Sequence, residues 1–124
     1  MDKRRSIGKK GEDLATVYLE NLGWKILERN WRYSRVGEID IIAVDPTSSR
    51  GTLVFCEVKA KSGVGFGQPL EAITIEKLRR LHRLACMWMV THEAGYDRVR
   101  IDAIGILAEP GKKASITHAR AVRL

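Results

Sequence analysis

The spacing of apolar residues changes character along the chain, and each change predicts an element. Ile7, Gly11, Leu14, Tyr18 and Leu22 recur at steps of four, three, four and four. That is one face of a 3.6-residue repeat and predicts a helix over 7–22, with Ser6 placed to cap it and Gly23 to stop it. Three β-like runs follow. Residues 24–33 are β-prone but polar in the middle, whereas 36–44 (VGEIDIIAV) and 52–60 (TLVFCEVKA) are rich in β-branched and apolar residues. The turn-rich DPTSSRG between the last two predicts a hairpin. The helical period returns over 75–92, with Leu78, Leu81, Ala85, Trp88 and Met89 as its stripe, Thr74 as cap and Glu93-Ala94-Gly95 as stop. A buried strand over 99–107 and a weaker one over 115–122 complete the order αβββαββ. Because the third strand reaches the fourth through a helix, those two should be parallel neighbours joined by a right-handed crossover. The class is α/β with a mixed sheet.

Composition narrows what such a fold does. A chain of 124 residues makes a single domain over 1–124, large enough to fold without disulfides or metal. Residues 1–6 read as a basic N-terminal arm, and 108–124 as a C-terminal turn with the weak final strand. With 44% apolar and 30% charged residues, the chain has the make-up of a folded globular protein. The longest apolar run, Leu84 to Val90, is too short to span a membrane. No apolar stretch follows the basic start, which argues against a secretory leader. Cys56 and Cys86 sit in apolar segments and read as buried free thiols of a reducing cytoplasm. The surplus of 22 Lys+Arg over 15 Asp+Glu leaves +7, which favours a polyanion partner, nucleic acid ahead of an anionic membrane.

The candidate chemistry lies in charged residues that interrupt apolar strands. Glu38 and Asp40 share one face of the second strand, Glu57 and Lys59 one face of the third. A hairpin centred between Ser48 and Ser49 sets Asp40 opposite Glu57, Glu38 opposite Lys59, Ile42 opposite Phe55 and Val44 opposite Leu53. Opposed side chains then stand about 4.5–5.5 Å apart at Cβ. Two carboxylates that close repel, and a hard divalent cation resolves the conflict. Asp40, Glu57 and the Val58 carbonyl form the expected oxygen set for Mg²⁺ or Mn²⁺, with Lys59 beside the activated water. An acid two residues before a lysine occurs once in the chain, about what chance gives, so the weight rests on its placement in a hairpin with an acid on the partner strand. The competing reading is a solvated sheet face with ordinary cross-strand pairs, Glu38–Lys59 among them.

Three strings make a resemblance specific: GEIDIIA at 37–43 with FCEVKAK at 55–61, and GKKGEDLA at 8–15, supported by 77–85 in the second helix. Over about Gly8 to Leu107 the chain resembles the YraN-like family of uncharacterised bacterial proteins. That family is placed in the restriction-endonuclease-like, PD-(D/E)xK nuclease superfamily and is similar to archaeal Holliday-junction resolvases. The resemblance implies an αβββαβ core around a mixed sheet and catalytic positions at Asp40, Glu57 and Lys59. It also carries Glu12 onto the acid such resolvases place on the first helix. Taken without it, Glu12 is equally a first-turn acid favoured by the helix dipole. Ile39 replaces the proline of the motif, and Lys61 stands where the family pattern has Arg, keeping charge but losing a planar fork for phosphate.

Lys77, Arg79, Arg80 and Arg83 cluster on the second helix, the last three at spacings that share a face, and with Lys61 form the expected phosphate-contacting surface. Gly63 to Gly67 read chiefly as a plain connector, with a loop at the mouth of the site as the alternative, and Asp102 as chiefly structural. His82, His92 and His118 read as surface residues. The function expected is a Mg²⁺- or Mn²⁺-dependent DNA endonuclease, acting on branched DNA as a homodimer. The alternative is a non-catalytic DNA-binding accessory of recombination or repair built on the same fold.

Overall fold

The computed structural model describes residues 3–65 and 67–122, the side chains of 3–6 excepted. Its elements are α1 (Lys3–Asn21), β1 (Lys25–Tyr33), β2 (Gly37–Asp45), β3 (Thr52–Lys61), a 3₁₀ turn (Pro69–Ala72), α2 (Ile75–Thr91), β4 (Val99–Leu107) and β5 (Ser115–Ala119). The described strands form one sheet in the order β1-β2-β3-β4-β5. Among the described strands only β3 and β4 pair in parallel, across the connection that contains α2. The order and the mixed sheet are those the sequence predicts.

Each helix covers one sheet face. On one side Leu78, Leu81, Leu84, Ala85 and Trp88 of α2 pack on Ile39, Ile42, Leu53, Phe55 and Ile101. On the other, Ala15 and Leu19 of α1, with Trp24, pack on Ile41, Ala43, Val54, Cys56, Ile104 and Ile106. The buried line of α1 is Gly11, Ala15 and Leu19, rotated from the predicted stripe; Leu14 and Tyr18 flank it, and Leu22 is 44% exposed past the helix end. The reason is closeness. A Cβ on Gly11 would lie 2.5 Å from the Ala60 Cβ, so α1 meets the sheet through its smallest residues. Gly23 does end α1: at φ +88 it closes a Schellman motif, with Gly23 N–H on the Glu20 carbonyl and Trp24 N–H on that of Leu19. The start differs from expectation. α1 begins at Lys3, so Ser6 is inside the helix and the supposed arm is helical from Lys3; Met1 and Asp2 lie outside the described residues. Thr74 caps α2 as predicted, its side chain accepting from Lys77 N–H at 3.2 Å.

β5 stops at Ala119, short of the predicted 122, because Asp102 captures the next stretch of chain. Its buried carboxylate accepts from Ala121 N–H at 3.0 Å, from Arg100 at 2.8 and 3.1 Å and from His118 Nε2 at 2.8 Å. Arg100 also pairs with buried Asp45 at 3.0 Å, and His118 Nδ1 lies 2.9 Å from the Tyr18 hydroxyl. His118 is therefore a buried linchpin between β4, β5 and α1, not a surface residue. Cys56 is buried as expected, but Cys86 is exposed on α2, one position beyond the stripe residue Ala85. No described helix is long and apolar enough to cross a membrane.

Candidate functional site

The β2–β3 ladder has the predicted register, from Asp45↔Thr52 through Ile42↔Phe55 to Ile41↔Cys56, and there it ends. One step further Asp40 would face Glu57. Instead the Asp40 carboxylate takes the Val58 N–H at 2.7 Å, a side-chain acceptor at the strand-to-strand boundary. β2 breaks its alternation at the same point: Ile39 faces the α2 core, whereas Ile41 faces the α1 core, two residues that strict alternation would put on one side. On the other flank, Asn30 of β1 lies between the pairs Arg29↔Ile41 and Trp31↔Ile39, opposite Asp40, with φ +51. That left-handed conformation is uncommon for any residue but glycine, asparagine being among the exceptions. From it the Asn30 amide donates to Glu12 Oε1 at 2.7 Å. A local irregularity on both sides of Asp40 thus brings Glu12 from α1 to the sheet.

One oxygen from each of Glu12, Glu38 and Asp40 lies within 4.8 Å of the others. This is an oxygen-only donor set of the kind a hard divalent cation takes. It differs from the expected Asp40–Glu57–Val58 set. Glu57 sits on the α2 side, lining a small cavity of about 80 Å³ with Glu38, Lys77, Arg80, Leu81 and Leu84. Val58 contributes its N–H to Asp40. A residue's N–H and C=O point to the same edge of an extended strand, so its carbonyl is directed towards the same boundary. Glu38 pairs with Arg32 at 3.5 Å rather than with Lys59.

The acids are held in mutual conflict. Burial, then the Glu57 charge, then Glu12 push Asp40 from the usual carboxylate value up to about 8, against the lowering effect of the Val58 N–H. Burial also raises Glu57, with Glu12 adding to it, while the charges of Lys77, Lys59 and Arg80 pull it back. Glu57 therefore senses the charge of Glu12 and of three cations, Lys77, Lys59 and Arg80, all near enough to act on it.

The remaining basic residues divide. Lys61 Nζ reaches the Gly67 carbonyl at 3.5 Å, tying the end of β3 to the loop after it; Phe66 of that loop lies outside the described residues. Arg80 and Arg83 line a groove of about 870 Å³ against the β1–β2 turn, whereas Arg79 lines neither this groove nor the acidic cavity. Asn30, Tyr33 and Arg35 belong to the surroundings of the site and escape a motif search. The one sequence signal for Asn30 is an asparagine amid a β-like run, where a left-handed turn is cheapest to place.

An α/β protein with two helices on opposite faces of a mixed sheet, and acids gathered where two strands part, is the class these observations define. The uncharacterised protein family UPF0102 matches residues 11–106. The chain belongs to that family. It is 40% identical over 119 residues to a UPF0102 protein of Nocardia farcinica (strain IFM 10152), covering 96% of this chain and 90% of that protein. It is 45% identical over 115 residues to one of Mycolicibacterium smegmatis (strain ATCC 700084 / mc(2)155), covering 93% and 90%. A third, from Acidothermus cellulolyticus (strain ATCC 43068 / DSM 8971 / 11B), is 43% identical over 127 aligned positions, covering 94% and 92%.

Proposed function

We propose that this protein is a divalent-metal-dependent DNA endonuclease that hydrolyses phosphodiester bonds. The observation that carries the reading is the crowding of Glu12, Glu38 and Asp40 into one oxygen-donor cluster, with Asp40 driven up to about 8 beside Glu57. Acids arranged this way destabilise one another unless a proton or a cation intervenes. Glu12, Glu38 and Asp40 would hold Mg²⁺ or Mn²⁺, and Glu57 would bear on the same charge from the α2 side. When bound, the ion supplies Lewis-acid polarisation of a phosphoryl oxygen and lowers the pKa of water. Glu57 would accept a proton from the attacking water. Lys59, Lys77 and Arg80 offset charge building on the phosphoryl oxygens. Asn30 orients Glu12, and the Val58 N–H orients Asp40. The net charge of +7 supports a polyanionic substrate. Resolution of branched DNA would need two such sites in a symmetric dimer, and the free cysteines fit a cytoplasmic setting.

The test is cleavage of duplex, single-stranded and four-way-junction DNA with Mg²⁺ or Mn²⁺. Cleavage that needs the metal and vanishes in folded Asp40→Asn and Glu57→Gln is the expected outcome. Salt-sensitive DNA binding that survives both substitutions, with no substrate cut, would favour the non-catalytic accessory role.

A further inference from the structure

The groove beside the acidic site has a different lining. Tyr33, Arg35, Val36 and Gly37 line one side, and Arg80, Arg83, Cys86 and Met87 of α2 the other. Three arginines border an otherwise apolar surface, and no carboxylate lines it among the described residues. Its volume of about 870 Å³ is within the range of small-molecule sites and is large enough for a nucleotide unit. Tyr33 is a backed platform: its ring stacks on Trp31 at 5.7 Å and 26°, and Trp31 is not part of the groove lining. Arg80 lines both this groove and the small cavity that contains Glu57. It crosses Gly37 to do so. A Cβ on Gly37 would lie 2.8 Å from Arg80 Cδ, so the stem passes over backbone where any other residue would meet it.

We propose that this groove binds an unpaired DNA strand flanking the scissile phosphate, with a base stacked at Tyr33 and phosphates met by Arg35, Arg80 and Arg83. The inference rests on the endonuclease reading and deepens it by naming the substrate class. Stacking on an aromatic ring within a cationic groove is the recurring means of holding single strands, because every base has a π-face. In a duplex, bases present only their edges, so a paired strand reaches the arginines but not the apolar surface. A single strand satisfies both the charge and the apolar lining; a duplex satisfies only the first.

The experiment measures binding of a fluorescent eight-thymidine strand and of a blunt duplex to the whole chain in EDTA, where the proposed chemistry is off. The single strand should bind more tightly than the duplex. Tyr33→Ala should weaken it about tenfold, Tyr33→Phe hardly at all, and Arg35→Ala or Arg83→Ala severalfold with a shallower salt dependence. Photocrosslinking of a 5-iododeoxyuridine strand to the unmodified protein, independent of how Tyr33→Ala folds, should map to Tyr33. A crosslink elsewhere, duplex binding as tight as single-strand binding, or a glutamate-rich peptide competing equally well, would overturn the proposal. Metal-dependent cleavage with Tyr33-independent binding would remove this groove and leave the endonuclease reading standing. Tyr33-dependent binding without cleavage of any substrate would do the reverse.

Discussion

The Asp40 carboxylate accepts the Val58 N–H at 2.7 Å at the point where the β2–β3 ladder ends, so a side chain replaces the next rung of the sheet. This contact fixes where the strands part and which acid stands between them. It also holds a carboxyl group in a place that disfavours its ionised form, because burial and the neighbouring Glu57 outweigh the single N–H.

Asp40 should therefore lower stability as pH rises. Its folded pKa, about 8, lies above the unfolded value of 3.8, so between these limits the folded state binds the extra proton. Unfolding then releases it, and stability from this group is full below the unfolded value and lost as pH climbs towards 8. Asp40→Asn, which cannot ionise, should melt several degrees higher than the unmodified protein at pH 8 in EDTA, the gap between 3.8 and about 8 setting a ceiling of roughly 6 kcal/mol. The two should converge near pH 4. Thermal melts across that range check it.

Divalent binding should show the same proton. At pH 7 Asp40 is largely protonated, so binding at the acid cluster should release close to one proton and tighten as pH rises to 8. Calorimetry of Mn²⁺ binding in buffers of different ionisation enthalpy measures that release directly. A pH-independent affinity would separate Asp40 from the ion.

Asn30 should act on metal affinity more than on stability. Asn30→Gly keeps the φ of +51 without strain but removes the donor to Glu12. Its melting temperature should stay near that of the unmodified protein while Mn²⁺ affinity falls about tenfold, the usual effect of losing a group that orients a ligand. Asn30→Ala should lose both. Equal Mn²⁺ affinity in all three would make Asn30 a turn residue only.

The Asp45–Arg100–Asp102–His118 network should govern stability far more than chemistry. Burial alone would raise Asp102, but bonds from His118, Arg100 and the Ala121 N–H hold it below the ordinary value. Its contribution is thus present above the unfolded pKa of 3.8 and lost as pH falls through the lower folded value. Asp102→Ala leaves Arg100 and His118 without their buried partner and should cost about 3–5 kcal/mol in urea unfolding. Cleavage by whatever fraction remains folded should be unaffected.

The elements were legible because each carries its own periodic or capping signal, as with Thr74, Gly23 and the alternation of β3. Hairpin register was legible too, since the turn-rich loop leaves few ways to align Ile42 with Phe55. The acid cluster was only half legible. Asp40 was identifiable as an acid in an apolar run, but simple alternation assumed an unbroken strand. The break between Ile39 and Ile41 and the left-handed Asn30 bring Glu12 and Glu38 to Asp40, while Glu57, whose charge also acts on Asp40, lines the α2-side cavity together with Glu38. The helix stripe of α1 misled for a related reason: Gly11 and Ala15 bury by being small, and a hydrophobic count gives them little weight. His118 carried no spacing signal at all, since its partners Tyr18 and Asp102 are brought together only by the fold.

The most direct measurement is anomalous diffraction from a crystal soaked in Mn²⁺. The account predicts a peak within coordinating distance of the carboxylates of Glu12, Glu38 and Asp40, absent in Asp40→Asn. No peak there at a concentration that saturates binding in solution, or a peak only at other acids, would contradict it.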